Sequence, residues 1–169
     1  MTVVVEGQLE FTFPAAWGVT VFDAPGTIIP KGIQPVDFVV DRGHDVLLIE
    51  VKDPSNTHAP ATERARFLRI MESQELTNEQ LVPKARTSWS YLHLMGLHRQ
   101  KRLTFIAVIG TENLSIEPIL LLGLTDRLNR RLQHEADHPW VIPDVQSGVL
   151  VAAVDLPQVL PGVRVRRLP

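Results

Sequence analysis

The chain has 169 residues, of which 44% are hydrophobic and 21% charged, and a formal net charge of −2. These values fit a single globular domain with a substantial core and exclude a disordered polyelectrolyte. The absence of cysteine excludes disulfides and thiolate zinc sites, no apolar run approaches the ~20 residues that span a bilayer, and no basic segment precedes the valine cluster at 3–5, so a cytoplasmic location is expected.

In chain order, Pro14 can open a short helix through Trp17, while residues 19–22 suit a strand equally well. Turn punctuation at 24–26 and 30–32 leads into two short β-branched and aromatic runs, 36–40 and 46–52, separated by a polar segment with Arg42-Gly43. A loop follows at 53–56, with Asp53 opening the turn at Pro54. Residues 62–75 read as an amphipathic helix with Phe67, Leu68 and Met71 inward. A second helix over 83–98 has Val82, Ala85, Trp89, Leu92 and Gly96 on or beside one stripe. Residues 103–109 form the best buried strand, and a helix capped by Thr125 follows, with Leu128, Leu132 and Ala136 as its stripe. Another strand is predicted at 148–154, and the tail at 157–169 extends along the surface.

The two runs at 36–52 form a predicted hairpin whose register follows from burial. Strand residues two apart share a face, so Val36, Phe38 and Val40 form one apolar set, and Leu47, Ile49 and Val51 another. A one-residue slip would expose one of them, so the two sets should pair. With Asp41 opposite Val46, Asp37 falls opposite Glu50, and Lys52 lies on the same face as both. Glu and Lys are poor strand formers, and here they interrupt what would otherwise be core, as happens most often at functional sites. The competing reading is a hairpin with one solvated face, which the presence of Val39, Val46 and Leu48 on that face opposes.

Pro35-Val36-Asp37 followed by Glu50-Val51-Lys52 resembles the signature of the PD-(D/E)XK nucleases, with one residue separating proline from aspartate. The resemblance covers residues 33–53 best. It implies an α/β or α+β fold with a restriction-endonuclease-like core, a mixed β-sheet flanked by helices, in one domain over 1–169. It also implies hydrolysis of nucleic-acid phosphodiesters, DNA ahead of RNA, with Mg²⁺ as cofactor and Mn²⁺ able to substitute. Asp37 and Glu50 would hold the metal with the Val51 carbonyl, and Lys52 would orient or deprotonate the attacking water. The chemistry agrees: a carboxylate-held cation generates a nucleophile from water and stabilises developing charge. Glu6, Glu10 and Asp23 precede the hairpin and could add an acid, although a surface charge is the commoner meaning of each.

From Lys84 to Gly110 there are five basic side chains, Lys84, Arg86, Arg99, Lys101 and Arg102, with His93 and His98 and no acid; Arg164, Arg166 and Arg167 follow near the end. Such clusters suit phosphate contacts, and Lys84 or Arg86 could reach one beside the site. Specificity would come from a homodimer or a partner protein. The alternative from a different class is a catalytically silent nuclease-fold module that binds DNA or assembles into a complex. His134-Glu135-Ala136-Asp137-His138 also matches H-E-x-x-H, the zinc-peptidase pattern. Pro139 biases His138 away from helix, and only Asp144 and Asp155 follow as ligands, so this reading ranks last.

Overall fold

The computed structural model describes residues 1–135, 138–139 and 147–169, of which 135, 138 and 139 are described as backbone only. It is a mixed α/β structure of two principal sheets and four α-helices. The five-stranded sheet has the order β3-β4-β5-β6-β9, from β3 (Gly18–Val21), β4 (Phe38–Asp41), β5 (Asp45–Lys52), β6 (Arg102–Ile109) and β9 (Ser147–Ala152). The first three strands form an antiparallel meander, and β6 and β9 add parallel to β5. Parallel neighbours need long crossovers. The first contains α1 (Ala61–Glu72), a π-helical turn (Leu76–Leu81) and α2 (Val82–Leu94); the second contains α3 (Pro118–Gln133).

A smaller antiparallel sheet, in the order β1-β2-β10, joins the two ends of the chain: β1 (Thr2–Glu6), β2 (Leu9–Phe13) and β10 (Arg164–Arg167). Its inner face brings Leu9, Phe11 and Phe13 onto Phe38, Leu47 and Ile49, with Leu156 of the short α4 (Leu156–Val159) in the same cluster. The opposite face of the large sheet packs Val39, Val46, Leu48 and Phe105 against Val82, Ala85, Leu124 and Leu128 from the helices. Strands β5 and β6 are therefore covered on both sides, which is why they read as near-continuous apolar runs.

The hairpin register is the expected one: Phe38 pairs with Ile49, Val40 with Leu47 and Asp41 with Val46. Val36 departs from its expected face. It precedes β4, belongs to the helix-side core and donates its N–H to Ser88 Oγ of α2 at 2.9 Å, so strand alternation does not govern it. Residues 14–17 make a turn rather than a helix, closed by Trp17 N–H on the Pro14 carbonyl at 3.1 Å, and the strand alternative holds for the adjoining Gly18–Val21. Gly96 lies beyond the end of α2 in a left-handed conformation, with φ of 70°, and is not part of its stripe. Thr125 sits inside α3 instead of capping it. That helix begins at Pro118, whose missing N–H costs nothing in a first turn, and the Thr125 hydroxyl accepts the Leu150 N–H at 2.9 Å, tying α3 to β9. The tail does not run free along the surface, because β10 pairs with β2. Ala136, predicted on the α3 stripe, lies outside the described residues. No helix among the described residues is long and apolar enough to cross a membrane.

Candidate active site

Site geometry starts from the carboxyl end of β5. The observed pairing ends at Phe38 with Ile49, and Asp37 lies just before it, next to the end of β5 that carries Glu50. The ladder is modified there: the Asp37 carboxylate, not a carbonyl, accepts the Val51 N–H, at 2.6 Å to Oδ2. Phe22 N–H in turn bonds the Asp37 carbonyl at 2.8 Å, so Asp37 is clasped from the two strands beside it. Its residue exposure is 5%, and that of Glu50 is 0%.

Glu50 points to the helix side, where Lys52 and Lys84 meet it. Lys52 Nζ lies 2.8 Å from Oε1. Lys84, in the first turn of α2, places Nζ 2.7 Å from Oε1 and 2.8 Å from Oε2. Lys84 hydrogen-bonds Oε2, whereas Oε1 is met by both ammoniums as ion pairs, so that buried oxygen has charge compensation without a hydrogen bond. Each lysine side chain is 23% exposed, and this side of the cluster therefore reaches solvent.

Two more acids arrive from elsewhere in the fold. Glu6 ends β1, immediately before Gly7, whose φ of 57° turns the chain into β2. Asp23 follows β3. Glu6, Asp23 and Asp37 can each bring one carboxylate oxygen to within 4.8 Å of the others, with Asp23 exposed and Glu6 half-buried. With Glu50 the cluster has four carboxylates against two ammoniums, an excess of two negative charges when all are ionised. The effect on protonation is direct. Burial, and then the Glu50 charge, push the Asp37 carboxyl from its ordinary value of 3.8 up to about 7, against the opposing pull of the Val51 N–H and Lys84. Glu6 is also raised, first by burial and then by Asp23 and Glu50, with Lys84 and Lys52 opposing.

Of the residues singled out from sequence, Asp37, Glu50, Lys52, Lys84 and Asp23 come together here, and Val51 contributes backbone. Glu10 does not belong to the site: it lies on β2 and pairs with Arg166, 2.6 Å from Oε1 to Nε, as a surface charge. Arg86 is elsewhere too. Its guanidinium donates to the carbonyls of Arg131 and His134 at the end of α3, at 2.9 and 3.3 Å, because two residues of helix, at roughly 100° each, send its side chain in a different direction from that of Lys84. Glu6, weighed from sequence beside Glu10 and Asp23 as an acid that could be added, lies here as well. Its position at the end of an alternating valine strand before a glycine turn was the available signal.

The basic residues at 84–102 do not form one patch. Lys101 and His98 face Asp41, at 2.7 and 3.3 Å. Near the end of the chain, Arg167 pairs with Asp53 and Glu112, at 2.7 and 2.6 Å. The H-E-x-x-H letters are not carried on a helix, since α3 stops at Gln133 and His134 is extended, with φ of −131° and ψ of 147°. His134 and Glu135 instead begin a two-stranded ribbon, β7 (His134–Glu135) with β8 (His138–Pro139), so the one-turn spacing of two zinc ligands is lost. Ala136 and Asp137 of that motif lie outside the described residues. No protein-family model, no curated protein and no solved structure matches this chain.

Proposed function

We propose that the chain is a Mg²⁺-dependent nuclease with a restriction-endonuclease-like core, hydrolysing phosphodiester bonds of DNA in preference to RNA. The observation that carries this reading is the placing of Asp37, Glu50 and Lys52 around one end of β5, beside Glu6 and Asp23, a set two positive charges short of neutrality when all its acids are ionised. A mixed β-sheet flanked by helices is what the family resemblance implies, and the five-stranded sheet with its helical crossovers supports the reading at that level.

The donors fit a hard divalent ion, because all are oxygens and several are anionic. Asp37 and Glu50 would hold it with the Val51 carbonyl. Glu6 and Asp23 would complete its surroundings directly or through water. Bound there, a divalent ion supplies charge neutralisation at the phosphate and acidifies water. Lys52 would orient or deprotonate the attacking water. Asp37, raised to about 7 without metal, ionises as the metal is taken up, so uptake releases a proton below neutral pH.

The test is cleavage of plasmid DNA and labelled RNA with Mg²⁺ or Mn²⁺, with EDTA and Glu50→Gln as controls. Metal-dependent cleavage lost in the variant is the expected result; cleavage that survives both controls overturns the proposal. A second reading, the catalytically silent DNA-binding or complex-forming module, is favoured by one observation: two lysines already neutralise Glu50. A chain that binds DNA but takes up neither metal would establish that alternative.

A further inference from the structure

Glu50 is the most deeply buried acid among the described residues, and its two oxygens are not equivalent. Oε1 faces both ammoniums, while Oε2 has Lys84 at 2.8 Å. A carboxylate removed this far from water is stable as an anion only with close counter-charge. Lys84 spans both oxygens and is therefore the principal counter-ion. Lys52 differs: it shares the strand face with Glu50, two residues along, and meets only Oε1.

The oxygens that Lys84 occupies are those a divalent ion would need, and an ammonium and a metal cannot hold the same side of one carboxylate. Lys84 has room to leave. Its ammonium ends a flexible four-carbon stem from the first turn of α2, and the side chain is 23% exposed, so it can turn outward without disturbing the helix. Resting on the nuclease reading, we infer that Lys84 is an exchangeable counter-ion. It holds Glu50 in place until a divalent ion takes that carboxylate, and the displaced ammonium then binds a phosphate group of the nucleic acid. Lys84 is on this account a positioning residue that alternates between an internal anion and the substrate's. A fixed structural pin would touch only the first.

The two roles predict changes of opposite sign. Mn²⁺ is titrated calorimetrically into the wild-type protein, Lys84→Gln and Lys84→Arg, and affinity for a short fluorescent DNA duplex is measured in Ca²⁺. Removing the competing charge should tighten Mn²⁺ binding about tenfold in Lys84→Gln and weaken the duplex about tenfold, with Lys84→Arg close to wild type in both. Mn²⁺ affinity in Lys84→Gln that is equal to or below wild type overturns the exchange. Tighter Mn²⁺ with unchanged duplex binding overturns the phosphate contact. Should Lys84→Gln lose its fold without metal, Mn²⁺ must restore it by supplying the missing counter-charge; failure to do so also overturns the exchange. Absence of Mn²⁺ binding in all three proteins sinks the nuclease reading itself and this inference with it, an outcome distinct from wild-type binding that Lys84 does not influence.

Discussion

Strand β5 carries charge at both ends, and the two ends treat it in opposite ways. At its start, by the β4–β5 turn, every acid has a base of its own. Asp45 takes a bidentate clasp from Arg42, and Asp41 faces Lys101 and His98 and accepts the Gly43 N–H at 2.8 Å. Both carboxyls are held below their ordinary range, Asp45 chiefly by Arg42 and Asp41 chiefly by Lys101. At the other end, both lysines sit on Glu50 while Asp37, Glu6 and Asp23 gather beside it, and Asp37 is pushed up to about 7 by burial and by Glu50. Matched pairs near water stabilise a turn and ask nothing further of the protein. A mismatched set around two buried acids leaves a deficit that a bound cation would remove, so it is this mismatch rather than charge density that marks the candidate site.

The comparison breaks most readily at Glu50. Glu50→Gln should lower metal-dependent cleavage by about 10³-fold, which corresponds to about 4 kcal/mol, as read from initial rates on a labelled duplex. Asp41→Asn at the opposite end should leave those rates unchanged. Equal losses at the two ends would erase the distinction between them.

Protonation supplies the next largest effect, and its sign differs between the ends. The folded protein keeps the Asp37 proton between about pH 4 and 7, where an unfolded chain releases it, so this group's contribution to stability is full below pH 4 and is lost as pH rises through 7. The size is on the order of 4 kcal/mol. Asp37→Asn should therefore be more stable than wild type at pH 8 but not at pH 4, as urea unfolding at both values would report, and Mn²⁺ should narrow the gap by stabilising only the wild type. Asp41 and Asp45 run the other way: their contribution is present above the ordinary carboxylate range and is lost on acidification below it. A wild-type stability that falls between pH 7 and 4 would show that the matched end dominates.

Arg167 tests what a matched pair is worth when its carboxylate is less exposed than that of Asp41. Its guanidinium ties β10 to Asp53, directly after Lys52, and the Asp53 side chain is only 8% exposed. Arg167→Met should cost about 3 kcal/mol in chemical denaturation by leaving that carboxylate uncompensated. The smallest effect belongs to the turn, where Asp41→Asn should cost about 1 kcal/mol or less, because its ion pair is open to solvent and screening salt.

Legibility along the chain followed the range of the interactions. The hairpin pairing over Phe38–Asp41 was readable because apolar residues had to stay on one face, whereas Asp37 precedes the paired strand and its carboxylate takes the Val51 N–H. Helices α1 and α2 and strands β6 and β9 were found by periodicity, within a few residues at their ends. Reading Thr125 as a cap failed because the real start of α3, from Pro118 through Leu122, is apolar on several faces and carries no amphipathic signal. Arg86 was misplaced for a related reason: charge counts along a segment ignore the helical rotation that sends neighbouring side chains to different surfaces.

Local alternation thus determined from the sequence alone that an acid and a lysine, Glu50 and Lys52, share one face of β5. Only the tertiary structure decided that Glu6, Asp23 and Lys84 join them, that Glu10 stays outside, and that the first and last strands close one small sheet. The physical reason is reach: a period of two fixes which side a residue faces within its own strand, whereas neighbours from distant segments are set by how sheets and helices pack, which no short window of residues encodes.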